Sequence, residues 1–328
     1  MAKKRRVERP PRTEESESSE KLVIALDFGT TYSGVAFCFA NQYDAKPAAI
    51  MDWSGHRGIS VPKIPTVIAY DKQRPDVFKW GASVDAADPS IVGIKLLLDP
   101  EQGRPMYLPA TNARKYIRML PKPPVKIAAD FIGAIYSHAL AEISKTVPKA
   151  YMELCSKEFV LSVPAVWSDA AKNATLLAAK EAGIHPVTLI KEPEAAALHT
   201  VKALDFSIKK GDAFVVCDAG GGTVDLITYE VHQLVPNLQV KELVPGTGGM
   251  AGSLGLNRRF AQAVQNLVGD EQWFPLKKSK AWVIAQRQFD QEVKRAFRGE
   301  PDEEYFVNFP MADLEDDPKV AWCPTPGG

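Results

Sequence analysis

The chain has 328 residues, 45% apolar and 24% charged, which is enough for two core-bearing domains of ordinary composition. Lys plus Arg and Asp plus Glu are 40 each, so the formal charge is zero. That balance does not call for nucleic acid or an anionic membrane as the main partner. Four cysteines, Cys38, Cys155, Cys217 and Cys323, form no C-x-x-C pair. With Cys38 and Cys217 inside apolar runs, they read as reduced, buried thiols rather than a disulfide frame or zinc site.

Residues 1–20 read as a solvated tail. A basic run (Lys3, Lys4, Arg5, Arg6) gives way to Pro10 and Pro11 and then to a Glu and Ser cluster. So few large apolar residues cannot offset the entropy of ordering. The basic run also fits a nuclear-import patch beside a first expectation of cytoplasmic residence. No apolar segment follows the charged start, so it does not read as a signal peptide. The most apolar long stretch, 22–40, contains Asp27 and a glycine and hydroxyl cluster, which makes it a poor membrane span.

Order is expected from Leu22. LVIAL reads as a strand, DFGTT as a turn and SGVAFCFA as a second strand. A similar unit recurs about 190 residues later: AFVVC, then DAGGGT, then VDLITYEV. Between them, VPKIPTVIAY reads as loop then strand, and 125–147 as a helix carrying Ile127, Phe131, Ile135 and Leu140. FVLSVPA reads as a strand; Ser168 caps the next helix and Gly183 ends it. VTLIK is a short strand, broken by Glu192 and Pro193, with a helix over 194–204. GTGGMAG at 246–252 reads as a glycine-rich loop, Ser253 as the cap of a further helix, and 281–298 as one more helix.

A phosphate chain needs backbone N–H donors converging on one cavity. Glycine permits the tight turns that make such nests and lets the backbone approach closely. Asp27-Phe28-Gly29-Thr30-Thr31-Tyr32 and Asp218-Ala219-Gly220-Gly221-Gly222-Thr223 both meet that need. An Asp at the end of each first strand can hold Mg²⁺ through waters, because that ion keeps much of its hydration shell. One such turn is an ordinary hairpin; two matching turns in one chain are a far stronger signal. Glu192 is a third carboxylate, placed just after a strand.

Here the sequence resembles a known family. ALDFGTTYSGVAF looks like the first phosphate motif of the seventy-kilodalton heat-shock (DnaK-type) chaperones, and CDAGGGTVDLITYEV like the second. LSVPAVWSDAAKNATLLAAKEAGI resembles the strand–helix segment between them, and KEPEAAALH the connecting motif. The likeness runs over roughly 22–300, is thin between 40 and 155, and is nearest in style to the divergent branch found in fungi and some animal proteins. It implies an α/β, two-lobed actin-like ATPase of ribonuclease H-like fold, with a first lobe at 21–205 and a partial second lobe at 206–328.

The resemblance also implies roles. ATP or ADP with Mg²⁺ is the implied ligand set, with Asp27 and Asp218 positioning the metal through waters. Thr30, Thr31 and Tyr32, with Gly29, line one phosphate wall; Gly220, Gly221, Gly222 and Thr223 line the other. Glu192 helps position the metal waters and the attacking water, Asp225 supports the second turn, and Gly252 matches a further glycine segment. In-line attack by water on a γ-phosphate needs positioning and charge neutralisation above all, which suits this set. Asp290, Lys294 and Arg295, in FDQEVKR, fill the adenosine helix, although a solvated helix face explains them equally well.

The departures are specific. The family's catalytic lysine falls on Pro89 if VGIK is the anchor, leaving Lys95 as a surface or strand lysine or as its replacement. Glu194 replaces a threonine and adds negative charge near the metal site. No second adenosine segment is found before Gly328, and no peptide-binding module, so clients or co-chaperones are expected only through a module outside this sequence. The second lobe is therefore expected to be incomplete. Three readings follow: an ATP-binding, chaperone-type ATPase; a non-hydrolysing nucleotide-binding scaffold or regulatory fragment; and a small-molecule kinase of the same superfamily.

Overall fold

The computed structural model describes residues 20–41, 45–56, 58–85, 88–99, 117–203, 208–235 and 237–315. The basic run Lys3, Lys4, Arg5 and Arg6, the Glu and Ser cluster and Cys323 lie outside the described residues.

The first sheet is built around β1 (Lys21–Asp27). Its alternation puts Leu22, Ile24 and Leu26 in the core, as a pleated strand with one fully covered face requires. β1 pairs antiparallel with β2 (Tyr32–Phe39), and the register sets Asp27 opposite Gly34. Its other edge pairs parallel with β8 (Ser156–Val163), which pairs parallel with β9 (Val187–Lys191). The short strands β3 (Ala48–Ala49) and β4 (Ile64–Pro65) both add to β2. A small antiparallel sheet follows: β5 (Val67–Tyr70) between β6 (Phe78–Trp80) and β7 (Ile91–Val92).

Helix α1 (Pro124–Ile143) covers the main sheet. Ile127, Phe131, Ile135, Ala139 and Ile143 are all buried, a four-residue spacing that makes one continuous apolar stripe. Pro124 at the first helical position costs nothing, because that N–H has no partner within a helix. The short helix α2 (Lys149–Leu154) leads into β8. α3 (Asp169–Glu181) begins as the sequence indicates: the Ser168 hydroxyl accepts from the Ala171 N–H at 3.1 Å. It ends at a left-handed Gly183, φ 79°. α3 buries small residues, Ala171, Ala178 and Ala179, in the same core as α1.

The second unit is an antiparallel meander of β10 (Ala213–Ala219), β11 (Val224–Gln233) and β12 (Gln239–Gly249). α4 (Glu192–Ala203) connects the two units, and its Ala197 is buried with Ile227 and Tyr229 of β11. α5 (Ser253–Lys277), interrupted at Gly269 with φ 76°, packs against α6 (Lys280–Gln288) through Val264, Trp273, Leu276 and Trp282. No helix among the described residues is long and apolar enough to cross a membrane.

Four local expectations change. The glycine-rich stretch at 246–249 is the end of β12, an edge strand that tolerates Pro245 and several glycines because only one side of it is paired. The strand ends at Lys191 as expected, but the helix starts two residues earlier than 194: Glu192 and Pro193 form the first turn of α4, where a proline needs no N–H partner. The helix over 281–298 is not uniform: α6 passes into a π turn, Phe289–Val293, and then a short helical turn, Lys294–Ala296. Cys217 is exposed rather than buried, because its side of β10 is uncovered.

Candidate nucleotide site

The turn after β1 is fixed from below. Phe28 is fully buried, 6.0 Å ring to ring from Phe131 of α1. Anchoring that ring holds Asp27 on one side and Gly29, Thr30 and Thr31 on the other at the sheet edge. The turn after β10 is closed by the Gly220 N–H donating to the Thr223 carbonyl at 2.9 Å.

The two turns meet. A side chain on Gly221 would put its Cβ 2.3 Å from the Thr31 hydroxyl, so this contact tolerates only glycine. The start of α5 closes the third side. The N–H groups of Gly252, Ser253 and Leu254 donate to the carbonyls of Gly222, Gly220 and Gly221 at 3.1, 3.0 and 2.9 Å.

These segments enclose an open cleft of about 690 Å³. Asp27, Gly29, Thr30, Thr31 and Tyr32 line one wall; Asp218, Gly220, Gly221, Gly222 and Thr223 line the other. Lys63, Lys95, Ser162, Glu192 and Ser253 complete the polar lining. The size lies within the range of small-molecule and cofactor sites.

Lys95 is the largest correction to the sequence reading. Pro89 is exposed and is not among the cleft-lining residues. Lys95 is neither a surface nor a strand residue. It lies on a one-turn 3-10 helix, Ile94–Leu98, that follows a left-handed Gly93 with φ 65°. It is 3% exposed, the one buried lysine among the described residues. Its ammonium donates to Glu192 Oε1 and sits 5.1 Å above the Trp167 ring. Glu192 lines the cleft beside it, its side chain 19% exposed. Burial pushes its carboxyl above the ordinary range, Lys95 opposes that rise, and the charges of Asp27 and Asp218 add to it.

Asp27 is held at both oxygens: Ser162 Oγ donates to Oδ1 at 3.0 Å and Lys63 Nζ to Oδ2 at 2.6 Å. Asp225 is buried beneath the second turn and accepts from Thr223 Oγ1 at 2.9 Å. Burial raises its carboxyl pKa, the Thr223 bond opposes, and the charge of Asp218 adds.

Several sequence candidates sit elsewhere. Asp290 and Arg295 are exposed and do not line the cleft. Lys294 reaches it at one remove: its ammonium donates to Ser253 Oγ at 2.7 Å and to the Ser253 carbonyl at 3.2 Å, with Asp290 as its ion-pair partner. Gly252 closes on Gly222 behind the cleft wall. Glu194 does not line the cleft; it acts on Tyr229 of β11, whose hydroxyl pKa burial raises, with Glu194 and Glu242 adding. Lys63 and Ser162 were not singled out from the sequence at all.

The donor set fits a nucleotide polyphosphate. The hydroxyls of Thr30 and Thr31 and the Lys95 ammonium line the cleft and are donors of the kind that phosphate oxygens need. Asp27 and Asp218 are hard oxygen donors of the kind that hold hydrated magnesium. Among the described residues no group of three or more His, Cys, Asp or Glu side chains converges to ligate a metal directly.

Fold and site together define a nucleotide-binding domain on the actin-like ATPase plan. The family profile described as Hsp70 protein matches residues 112–241. Heat shock 70 kDa protein 12A of Homo sapiens is 24% identical over 352 aligned positions, covering 84% of this chain and 50% of that protein. Heat shock 70 kDa protein 12B of Homo sapiens is 25% identical over 81% of this chain and 48% of its own length. Heat shock 70 kDa protein 13 of Homo sapiens is 29% identical over 62% of this chain and 43% of its own length. Over this nucleotide-binding domain the chain is similar to Hsp70-family proteins. It spans about half the length of the curated relatives it matches.

Proposed function

We propose that the cleft binds ATP and ADP with magnesium and positions water for attack on the γ-phosphate. The observation that carries this reading is the buried Lys95–Glu192 pair between the two glycine turns. A phosphoryl group in flight concentrates charge on its oxygens, and a preorganised ammonium in a poorly hydrated site stabilises that charge without reorganising. Lys95 supplies the ammonium, held by Glu192 and by the face of Trp167. Glu192 accepts a proton-bearing partner on one oxygen and, as a carboxylate at the cleft wall, orients water. The hydroxyls of Thr30 and Thr31, set against the second glycine turn, hold the phosphate tail; Asp27 and Asp218 hold the waters of the ion. When bound, magnesium neutralises phosphate charge.

The test is calorimetric titration with ATP and ADP, with and without magnesium, followed by phosphate release in Lys95→Met and Asp218→Ala. Loss of one interaction made only in the transition state is expected to slow turnover by roughly 100- to 1,000-fold while nucleotide still binds. The absence of saturable binding at millimolar nucleotide would sink the reading. Binding without phosphate release, unchanged by Lys95→Met, would instead identify a non-hydrolysing scaffold.

A further inference from the structure

The cleft contains a second lysine that the nucleotide reading does not use. Lys63 lies at the mouth, on the residue before β4, and its ammonium is 2.6 Å from Asp27 Oδ2. Its position is built, not incidental. β4 pairs with β2 through Tyr32–Pro65 and Ser33–Ile64, which fixes the register of the preceding residue. The Thr66 N–H donates to the Thr31 carbonyl at 2.8 Å, and the buried hydroxyls of Ser33 and Thr66 share a hydrogen bond of 2.7 Å. Gly34 stands opposite Asp27, and a Cβ there would come 2.8 Å from the Pro62 carbonyl. The missing side chain lets the Pro62–Lys63 backbone close over the end of β1.

The charges then matter. Asp27, Glu192 and Asp218 line the cleft together with Lys63 and Lys95. Lys95 is committed to Glu192 in the interior, whereas the Lys63 side chain is 53% exposed and its stem is long enough to turn from carboxylate to phosphate. The ammonium thus occupies one carboxylate oxygen of Asp27, the residue to which the nucleotide reading gives the ion.

We infer that Lys63 is a built-in cation for the phosphate tail, which partly replaces magnesium and gives this site a weak metal requirement for nucleotide binding. The inference rests on the proposed nucleotide reading. On arrival of a polyphosphate, Lys63 exchanges Asp27 for a phosphate oxygen; no bond other than hydrogen bonds is made or broken.

The experiment is calorimetric titration of the whole chain with ADP and with ATP, in excess magnesium and in excess EDTA, for wild type, Lys63→Gln and Lys63→Arg. Wild type is expected to bind ADP in EDTA within about tenfold of its magnesium affinity, and Lys63→Gln to lose a further factor of about ten in EDTA alone, about 1.4 kcal/mol. Lys63→Arg restores the metal-free affinity, and matching thermal melts show that the variants fold. An equal loss with and without magnesium, or no loss in either, overturns the assignment of Lys63 while leaving the nucleotide site standing. Failure of wild type to bind either nucleotide under both conditions overturns the nucleotide reading and this inference with it.

Discussion

Replacing Lys95 with Met removes the ammonium but keeps an unbranched side chain of similar length against Trp167. The carboxylate it leaves behind is the source of the energy change. Breaking a buried ion pair by deleting one partner costs about 3–5 kcal/mol, because the surviving charge is desolvated and unpaired. Lys95 is 3% exposed and the Glu192 side chain 19%, so Glu192 retains some contact with cleft water. That places the expected loss at the lower end, about 3 kcal/mol, or a fall in melting temperature of roughly 4–5 °C for a chain of this size. The loss depends on pH, with a definite sign. The Glu192 carboxyl titrates above 4.5 in the folded chain, burial being the main cause and Lys95 the main opposing influence. Between the unfolded and the raised folded value, the folded state retains a proton that the unfolded state has released. Stability contributed by that proton is present below the unfolded value and is lost as pH rises through the folded one. Without Lys95 the folded value moves further up, so the variant loses more at neutrality than in acid near the ordinary carboxylate range. Urea denaturation at both pH values, on wild type, Lys95→Met, Glu192→Gln and the double variant, measures the effect. Additivity of the two single changes to within about 0.5 kcal/mol, or a loss independent of pH, would refute the coupling.

The remaining expectations concern the turns. Gly221→Ala forces a Cβ to within 2.3 Å of the Thr31 hydroxyl, so the turns must part; calorimetry is expected to show at least about tenfold weaker nucleotide binding. Gly249→Ala, where nothing lies within 4 Å of the added atom, is expected to bind as wild type, and a matching loss there would show that the Gly221 effect is not local. Phe28→Ala removes the fully buried ring beneath the first turn and is expected to cost about 3–5 kcal/mol in urea denaturation. A cost below about 1 kcal/mol would mean that the turn is anchored elsewhere.

The two hairpins were legible because their apolar strands and Asp-x-Gly turns are local signals, decided within a dozen residues. Lys95 was less legible, although a signal was present. It interrupts an otherwise apolar run, Ile94 to Leu98, and all five residues are buried. A lysine embedded among such residues needs a partner, but the partner, Glu192, lies 97 positions away and only the fold names it. Spacing pointed instead to Pro89, because a left-handed Gly93 and a 3-10 turn carry the chain inward later than a regular strand would. β12 was hidden by its Lys241, Glu242 and Pro245, which an edge strand exposed over most of its length accommodates. Lys63 had no local signal at all, since its meaning depends on the β2–β4 register.

The helix that begins with Glu192 ties these features together. α4 starts at the cleft with the partner of Lys95, and one turn later buries Ala197 against Ile227 and Tyr229 of β11. A rigid helix transmits displacement along its axis, so α4 belongs mechanically to both units. The second glycine turn sits at the end of β10, paired to the same β11. Any shift of that sheet relative to β1 therefore changes two things at once: the contact of Gly221 with Thr31, and the position of Glu192 beneath Lys95. The contact between the two turns and the buried ion pair are thus set by one variable, the placement of β10 and β11 against the first sheet. The start of α5 stiffens that placement through its three backbone bonds to the second turn, and Lys294 braces Ser253 from behind. A ligand bridging both turns acts on the same variable, which is why loss of a turn contact and loss of the ion pair are expected to be non-additive in nucleotide affinity even though Gly221 and Lys95 lie on different elements.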